Sequence, residues 1–204
     1  MRYTISEMAS LLGVTTHTLR YYEKMGLIHP EVNEDTGYRY YTVTDTRRFN
    51  LCRELRAKLA LHEGVPAEQI LCGNGAADLI FRLVWAKKPR RALVTAPTFA
   101  EYATALESVG CTVERFFLRE QEDFAVTDAF CAAIRPGADM VFLCQPNNPT
   151  GQLTALPLVE QILRRCAACG TLLVVDECFL DFLPDHALHT AKGCLLYTSP
   201  SPRD

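Results

Sequence analysis

Between Ala57 and Lys192 the chain alternates short, almost wholly apolar runs with longer stretches whose apolar residues recur at helical spacing, and few folds accommodate that alternation. The pattern predicts strands at Ile70–Cys72, Ala92–Thr95, Val113–Leu118, Met140–Cys144 and Leu172–Val175. Helices are expected at Ala76–Lys87, Glu101–Val109, Thr127–Ile134 and Leu156–Cys169. A run such as Leu172–Val175 has no polar face, so it needs cover on both sides, and strands separated by helices favour parallel pairing. The expectation is an α/β domain with a mainly parallel sheet.

Composition narrows the field. A chain of 204 residues with 49% hydrophobic and 22% charged residues can bury a core as one ordinary domain or two small ones. A net charge of −3 gives no support for a strongly basic nucleic-acid surface, although an average can hide a local one. Nine cysteines with no secretory signal point to a reducing cytoplasm, because an exported chain with an odd count would leave one thiol unpaired. No apolar run is long enough to span a bilayer, so a soluble cytoplasmic chain is expected.

The first 56 residues have a different character. Thr4-Ile5-Ser6-Glu7 has the form of a capping box, with Met8, Leu11 and Leu12 on one face of the helix that follows and Gly13 near its end. Thr15 is placed to cap a second helix through Thr16, Leu19, Arg20, Tyr22 and Glu23 to Met25. Asn33 to Gly37 makes a turn, Tyr38-Arg39-Tyr40-Tyr41 alternates like a strand, and a third helix begins at Thr44-Asp45. Two helices joined by a tight turn and followed by a two-stranded wing make a winged helix-turn-helix. The segments Tyr3-Thr4-Ile5, Gly13-Val14-Thr15, Thr18 to Glu23, Gly26-Leu27-Ile28 and Gly37 to Tyr41 together resemble the MerR-type head. That resemblance implies DNA as a partner, the second helix in the major groove, and Thr16, Arg20, Tyr22, Arg39, Tyr40 and Tyr41 at phosphates or base edges. Packing of a small core is the competing role for the tyrosines, Tyr21 and Tyr38 included. This head carries eight Lys and Arg against seven Asp and Glu, so tight binding would lean on dimerisation.

Chemistry in an α/β sheet gathers where strands end and helices begin. Gly73-Asn74-Gly75-Ala76-Ala77 precedes a helix, and glycine with free helix-start amides suits a phosphate. Ala96-Pro97-Thr98-Phe99 ends a strand with a ring that either lies against a planar ligand or fills core. Asn147-Asn148-Pro149-Thr150-Gly151 is an unusual turn with adjacent amides. Asp176 closes the apolar strand, where a carboxylate needs a cationic or protonated partner, whether ligand or structural ion pair.

In this order, Gly73-Asn74-Gly75, Pro97-Thr98-Phe99, Asn148-Pro149-Thr150-Gly151 and Asp176-Glu177 resemble the class I/II aminotransferases, which are fold-type I pyridoxal-phosphate enzymes. Within that family Lys88 to Ala92, Phe99 to Tyr102, Phe142 to Cys144 and Asp176 to Phe182 are most similar to the threonine-phosphate decarboxylase and histidinol-phosphate aminotransferase groups, over roughly 59–184. The resemblance implies pyridoxal 5'-phosphate as cofactor and a phosphorylated amino acid as small-molecule substrate. It assigns the amides of Gly75, Ala76 and Ala77 to the cofactor phosphate, Phe99 to stacking on the pyridine ring, and Asn148 to the ring hydroxylate. Asp176 would keep the ring nitrogen protonated. Phe179, at a position that is tyrosine in most transaminases, leans towards the decarboxylase group.

The Schiff-base lysine and substrate-carboxylate arginine of such enzymes have no counterpart here, so no catalytic residue is assigned and an inactive, truncated large domain is expected. The absence of two later strands would separate the Gly75 loop from Asp176 and leave the Asp176 strand as a bare apolar edge. Lys192 is expected on an exposed loop. Homodimerisation belongs to intact relatives. The expected domains are 1–56, the helix-turn-helix; 57–193, the partial aminotransferase domain; and 194–204, a tail similar to a translated sequencing adapter. The junction near 54–58 has no Gly, Ser or Pro-rich linker, which suggests a chimera. A regulator whose helix-turn-helix answers to a cofactor-binding domain is the alternative. Cys166-Ala167-Ala168-Cys169 lacks a second pair and reads as helix packing, and His17, His29, His62, His186 and His189 show no ligand spacing, so no metal is assigned.

Overall fold

The computed structural model describes residues 2–24, 26–34 and 36–193. The tail expected at 194–204 lies outside them. The chain forms two compact units, Met1–Cys72 and Gly73–Asp204.

The first unit runs β1 (Arg2–Tyr3), α1 (Ile5–Leu12), α2 (Thr16–Lys24), β2 (Glu31–Val32), β3 (Arg39–Thr42) and α3 (Val43–Glu63). Local chemistry sets the boundaries of its helices. Thr4 Oγ1 accepts the Glu7 amide at 3.3 Å and Glu7 Oε2 accepts the Thr4 amide at 2.7 Å, completing the capping box. α1 then stops at Gly13, whose φ of 65° suits a residue without a Cβ. Thr15 Oγ1 accepts the Thr18 amide at 3.1 Å and starts α2. Asp45, buried to 2% exposure, accepts the Thr42 amide at 2.8 Å and the His29 amide at 3.0 Å. One carboxylate thereby caps α3 and pins the segment after α2 to it.

The wing has three strands where two were expected, because Arg2 and Tyr3 pair antiparallel with Thr42 and Tyr41 while β2 pairs with the other edge of β3. α3 is unbroken through 54–58, so the boundary expected at residue 56 falls inside a helix. Arg56 Nε donates to the Ala67 carbonyl at 2.5 Å and holds the following segment to that helix. Ile70–Cys72 forms no strand, against expectation: it belongs to neither sheet, and an extended run without a neighbour has no ladder to join.

In the second unit, α4 (Ala76–Lys87), β4 (Arg91–Ala96), α5 (Glu101–Ser108), β5 (Thr112–Phe117), α6 (Asp128–Ala133), β6 (Met140–Cys144), α7 (Leu156–Cys169) and β7 (Leu172–Asp176) alternate as the sequence predicts. All pairings are parallel and the order is β5-β4-β6-β7. Successive side chains on a strand face opposite sides, and the core divides accordingly. Ala92, Val94, Met140, Phe142 and Cys144 pack with Ile80 and Val84 of α4 and Tyr102 and Leu106 of α5. Leu93, Val141 and Leu143 pack with Phe130 and Ile134 of α6 and Val159, Ile162 and Cys166 of α7. β6 is buried at every residue, whereas Leu172 at the start of the edge strand β7 is 38% exposed. That is the apolar edge expected for the Asp176 strand.

Candidate functional site

The chain order β4, β5 and then β6, β7 sends connections from the middle of the sheet in opposite directions, so β4 and β6 flank a switch point. Ligands of open α/β sheets sit outside the carboxyl ends of the strands at such a crevice. The sequence-predicted residues lie there: Phe99 follows β4, Asn148 follows β6 and Asp176 ends β7.

Asn147, not Asn148, builds the crevice. It is 4% exposed, and its Nδ2 donates to the Pro97 carbonyl at 3.0 Å and to Thr150 Oγ1 at 2.9 Å. Its Oδ1 accepts from Thr98 Oγ1 at 3.0 Å. One buried amide therefore locks the loop after β4 to the loop after β6. Gln145 extends the lock, since its amide donates to the Asp176 carbonyl at 2.8 Å and its side chain makes two bonds with the Thr154 backbone, at 2.7 and 2.9 Å. Asn148 is half-buried beside this scaffold.

The Asp176 carboxylate is held from both sides. The Tyr102 hydroxyl donates to Oδ2 at 2.7 Å; the Cys178 amide and thiol donate to Oδ1 at 3.1 and 2.6 Å. Burial first, then the bond to Asp176, pushes the Cys178 thiol up to about 12 and the Tyr102 phenol far above its ordinary range, so both keep their protons. The partner expected for Asp176 is thus a neutral phenol and a thiol, with no cation in direct contact among the described residues. Phe99 is half-buried and meets Tyr102 in a T-shaped contact, 5.6 Å between centroids and 82° between planes.

At the start of α4, Gly75 has φ 86° and ψ 171°, a conformation that favours glycine. It leaves the first turn of a twelve-residue helix, with the amides of Gly75, Ala76 and Ala77, available as an anion cradle. Asp78 in that turn accepts the Asn74 amide at 2.9 Å and pairs with Arg82 at 2.7 Å, which offsets its charge; those contacts hold its carboxyl below the usual range. Ala76 packs against the same apolar cluster as Phe99 and Val174. Lys192 is half-buried, against the expected exposed loop, with its amide on Thr190 Oγ1 at 3.1 Å. Cys166 is fully buried on α7, its thiol pushed up to about 12 by burial, in keeping with a packing role. No group of three or more metal-ligating side chains occurs among the described residues.

On the first unit, Thr16, Arg20 and Lys24 are exposed and recur every fourth residue along α2. A shallow cleft of about 340 Å³ lies among Arg20, Glu23, Lys24 and Arg39. Two of the expected contact residues need correction. Tyr22 is 7% exposed and packs tilted against Phe49, and Tyr41 is fully buried with its hydroxyl on Glu23, so both rings belong to the small core. Tyr21 and Tyr38, whose roles stood open, are 43% and 67% exposed. Arg39 is exposed, Tyr40 half-buried, and Glu23 Oε1 pairs with Arg39 Nε at 2.7 Å.

Sequence reading quoted Asn147 and Tyr102 within their motifs but gave neither a role of its own. Tyr102 carried a usable signal: it shares a helix face with Ala105 and Leu106, and a hydroxyl on a buried face must find a partner.

A parallel α/β unit whose strand ends gather a carboxylate, an aromatic ring and a glycine-led helix start is of the class that binds phosphorylated cofactors. Residues 40–199 match the family model "Aminotransferase class I and II", and the chain belongs to that family. Residues 3–61 match "MerR HTH family regulatory protein", so the two matches overlap along α3. The chain is 46% identical over 130 residues to threonine-phosphate decarboxylase of Salmonella typhimurium, covering 64% of this chain and 36% of that one. It is 38% identical over 149 residues to a histidinol-phosphate aminotransferase of Desulfitobacterium hafniense, covering 70% and 41%. Among solved structures, L-threonine-O-3-phosphate decarboxylase from Porphyromonas gingivalis aligns with TM-score 0.53 and 27% identity, over 64% of this chain and 37% of that one. A decarboxylase from Sulfurospirillum multivorans aligns with TM-score 0.62 and 27% identity, over 97% and 50%. The chain spans well under half the length of the curated relatives it matches. No described helix is long and apolar enough to cross a membrane.

Proposed function

We propose that the crevice at the carboxyl ends of β4, β6 and β7 is a pyridoxal 5'-phosphate site of the threonine-phosphate decarboxylase kind, in a chain that binds the cofactor without turnover because no residue is assigned as the Schiff-base lysine. The observation that carries this reading is Asp176, a half-buried carboxylate at the end of β7 whose two oxygens are fixed by Tyr102 and Cys178. The residue types suit the cofactor: helix-start amides at Gly75, Ala76 and Ala77 for an anion, an aromatic face at Phe99, an amide at Asn148 and a fixed carboxylate at Asp176. When bound, the cofactor supplies an electron-withdrawing ring that takes up the electron pair released at the substrate's Cα. Asp176 holds a proton at the ring nitrogen, Phe99 restrains the ring plane, and the α4 amides compensate the phosphate charge.

Titration of the 204-residue chain with pyridoxal 5'-phosphate, followed by cofactor absorbance and fluorescence, tests the site. Asp176→Asn should weaken binding about tenfold, the scale of a charge-assisted hydrogen bond. Equal binding by both proteins would overturn the reading.

The match of residues 3–61 favours a second activity for the first unit: DNA contact through Thr16, Arg20, Lys24 and Arg39, with Tyr38 and Tyr40 beside them. Its test is salt-dependent, sequence-selective binding to duplex DNA; binding without sequence preference would refute selective recognition.

A further inference from the structure

We propose that Tyr102 is the positioning residue of the cofactor site, aligning the Asp176 carboxylate with the plane set by Phe99; this rests on the pyridoxal-phosphate reading above. Tyr102 touches two of the proposed ring-binding groups, Asp176 and Phe99. Its hydroxyl donates to Asp176 Oδ2 at 2.7 Å across seventy-four positions of sequence, and its ring meets the Phe99 ring in a T-shaped contact at 5.6 Å and 82°. The ring itself is immobilised, because it is fully buried and stacked on Phe142 of the central strand at 4.7 Å and 16°. Asp176 sits at the end of an edge strand, where its backbone lacks a neighbour on one side among the described residues. A carboxylate there depends on side-chain contacts for its orientation, and among the described residues its long-range side-chain hydrogen bond is to Tyr102. Cys178 secures the other oxygen from two residues away, but it moves with the same chain segment and cannot fix that segment relative to β4. Tyr102 can, because α5 follows β4 directly.

This role differs from filling space. A core tyrosine that only packs would be replaced by phenylalanine without effect on how the ring nitrogen is recognised. A positioning tyrosine would not.

The test compares pyridoxal 5'-phosphate with its 1-deaza analogue, in which CH replaces the ring nitrogen, on the full chain. Wild type should prefer the natural cofactor by about tenfold, since only it can share a proton with Asp176. Tyr102→Phe should bring that preference within about threefold while leaving affinity for the analogue unchanged. Phe142→Leu, which loosens the stack but keeps the hydroxyl, should retain the preference. A full preference in Tyr102→Phe, or an equal loss in Phe142→Leu, overturns the positioning role. Asp176→Asn retaining the preference, or wild type binding neither compound, overturns the pyridoxal-phosphate reading instead. Should Tyr102→Phe lose its near-ultraviolet dichroism, the wild-type protein still decides. A protected tyrosine hydroxyl proton should be visible by NMR and vanish in Asp176→Asn, and its absence from wild type overturns the contact.

Discussion

Replacing Asn147 by alanine should destabilise the second unit far more than the same change at its neighbour Asn148. Asn147 makes three side-chain hydrogen bonds, to the Pro97 carbonyl, Thr150 Oγ1 and Thr98 Oγ1, from a side chain only 4% exposed. At about 1 kcal/mol per bond the loss is roughly 3 kcal/mol. Its three partners lie on residues that are not themselves buried, so water can reach them after the change and the full penalty for stranded buried groups does not apply. With a urea m-value of about 2 kcal/mol/M, that loss moves the midpoint by about 1.5 M. Trp85, the chain's single tryptophan, lies on α4 and reports unfolding of this unit by fluorescence. Asn148 is half-buried, and its replacement should shift the midpoint by less than about 0.3 M, the scale of a substitution that removes no buried partner. Equal shifts for the two variants would refute the conclusion that Asn147, rather than Asn148, is the scaffold residue.

Gly75→Val should cost about 1–3 kcal/mol through backbone strain alone, because a Cβ there meets nothing within 4 Å yet φ is +86°. A thermal melt checks the cost, and pyridoxal-phosphate titration should show the α4 cradle weakened. The Asp139 carboxyl lies below its ordinary range because the Arg90 amide, at 2.7 Å, and the Arg91 amide donate to it. Its stabilising contribution is therefore complete above the unfolded carboxyl pKa and fades as the pH falls through the lower folded value. Below about pH 4 wild type should lose urea resistance more steeply than Asp139→Asn, and parallel curves would refute this. On the first unit, Arg20→Ala should reduce the salt slope of any DNA binding by about one, measured by anisotropy on duplex DNA. Tyr41→Phe should leave that slope unchanged and lower stability by about 1 kcal/mol, since its hydroxyl bonds Glu23 within the core.

The alternation of apolar runs and amphipathic stretches determined most of the second unit, because burial of both sheet faces leaves its mark on every residue of strands such as Met140–Cys144. Capping was equally legible: Thr4 with Glu7, and the glycine at position 13, act within a single turn of chain. The family and the positions of Phe99, Asn148 and Asp176 were also readable, since motifs at strand ends are local in sequence. Partnership was not. Whether a tyrosine faces water or core depends on elements that arrive later in the chain, which is why Tyr22 and Tyr41 went inside and Tyr21 and Tyr38 outside. Ile70–Cys72 has the residues of a strand, but a strand is made by its neighbour, and only the tertiary structure decides whether one is there. The same holds for Asp176. Its place at the end of an apolar strand was visible in the sequence, whereas the hydroxyl that holds it comes from Tyr102, brought across by the pairing of β4 with β6 and β6 with β7.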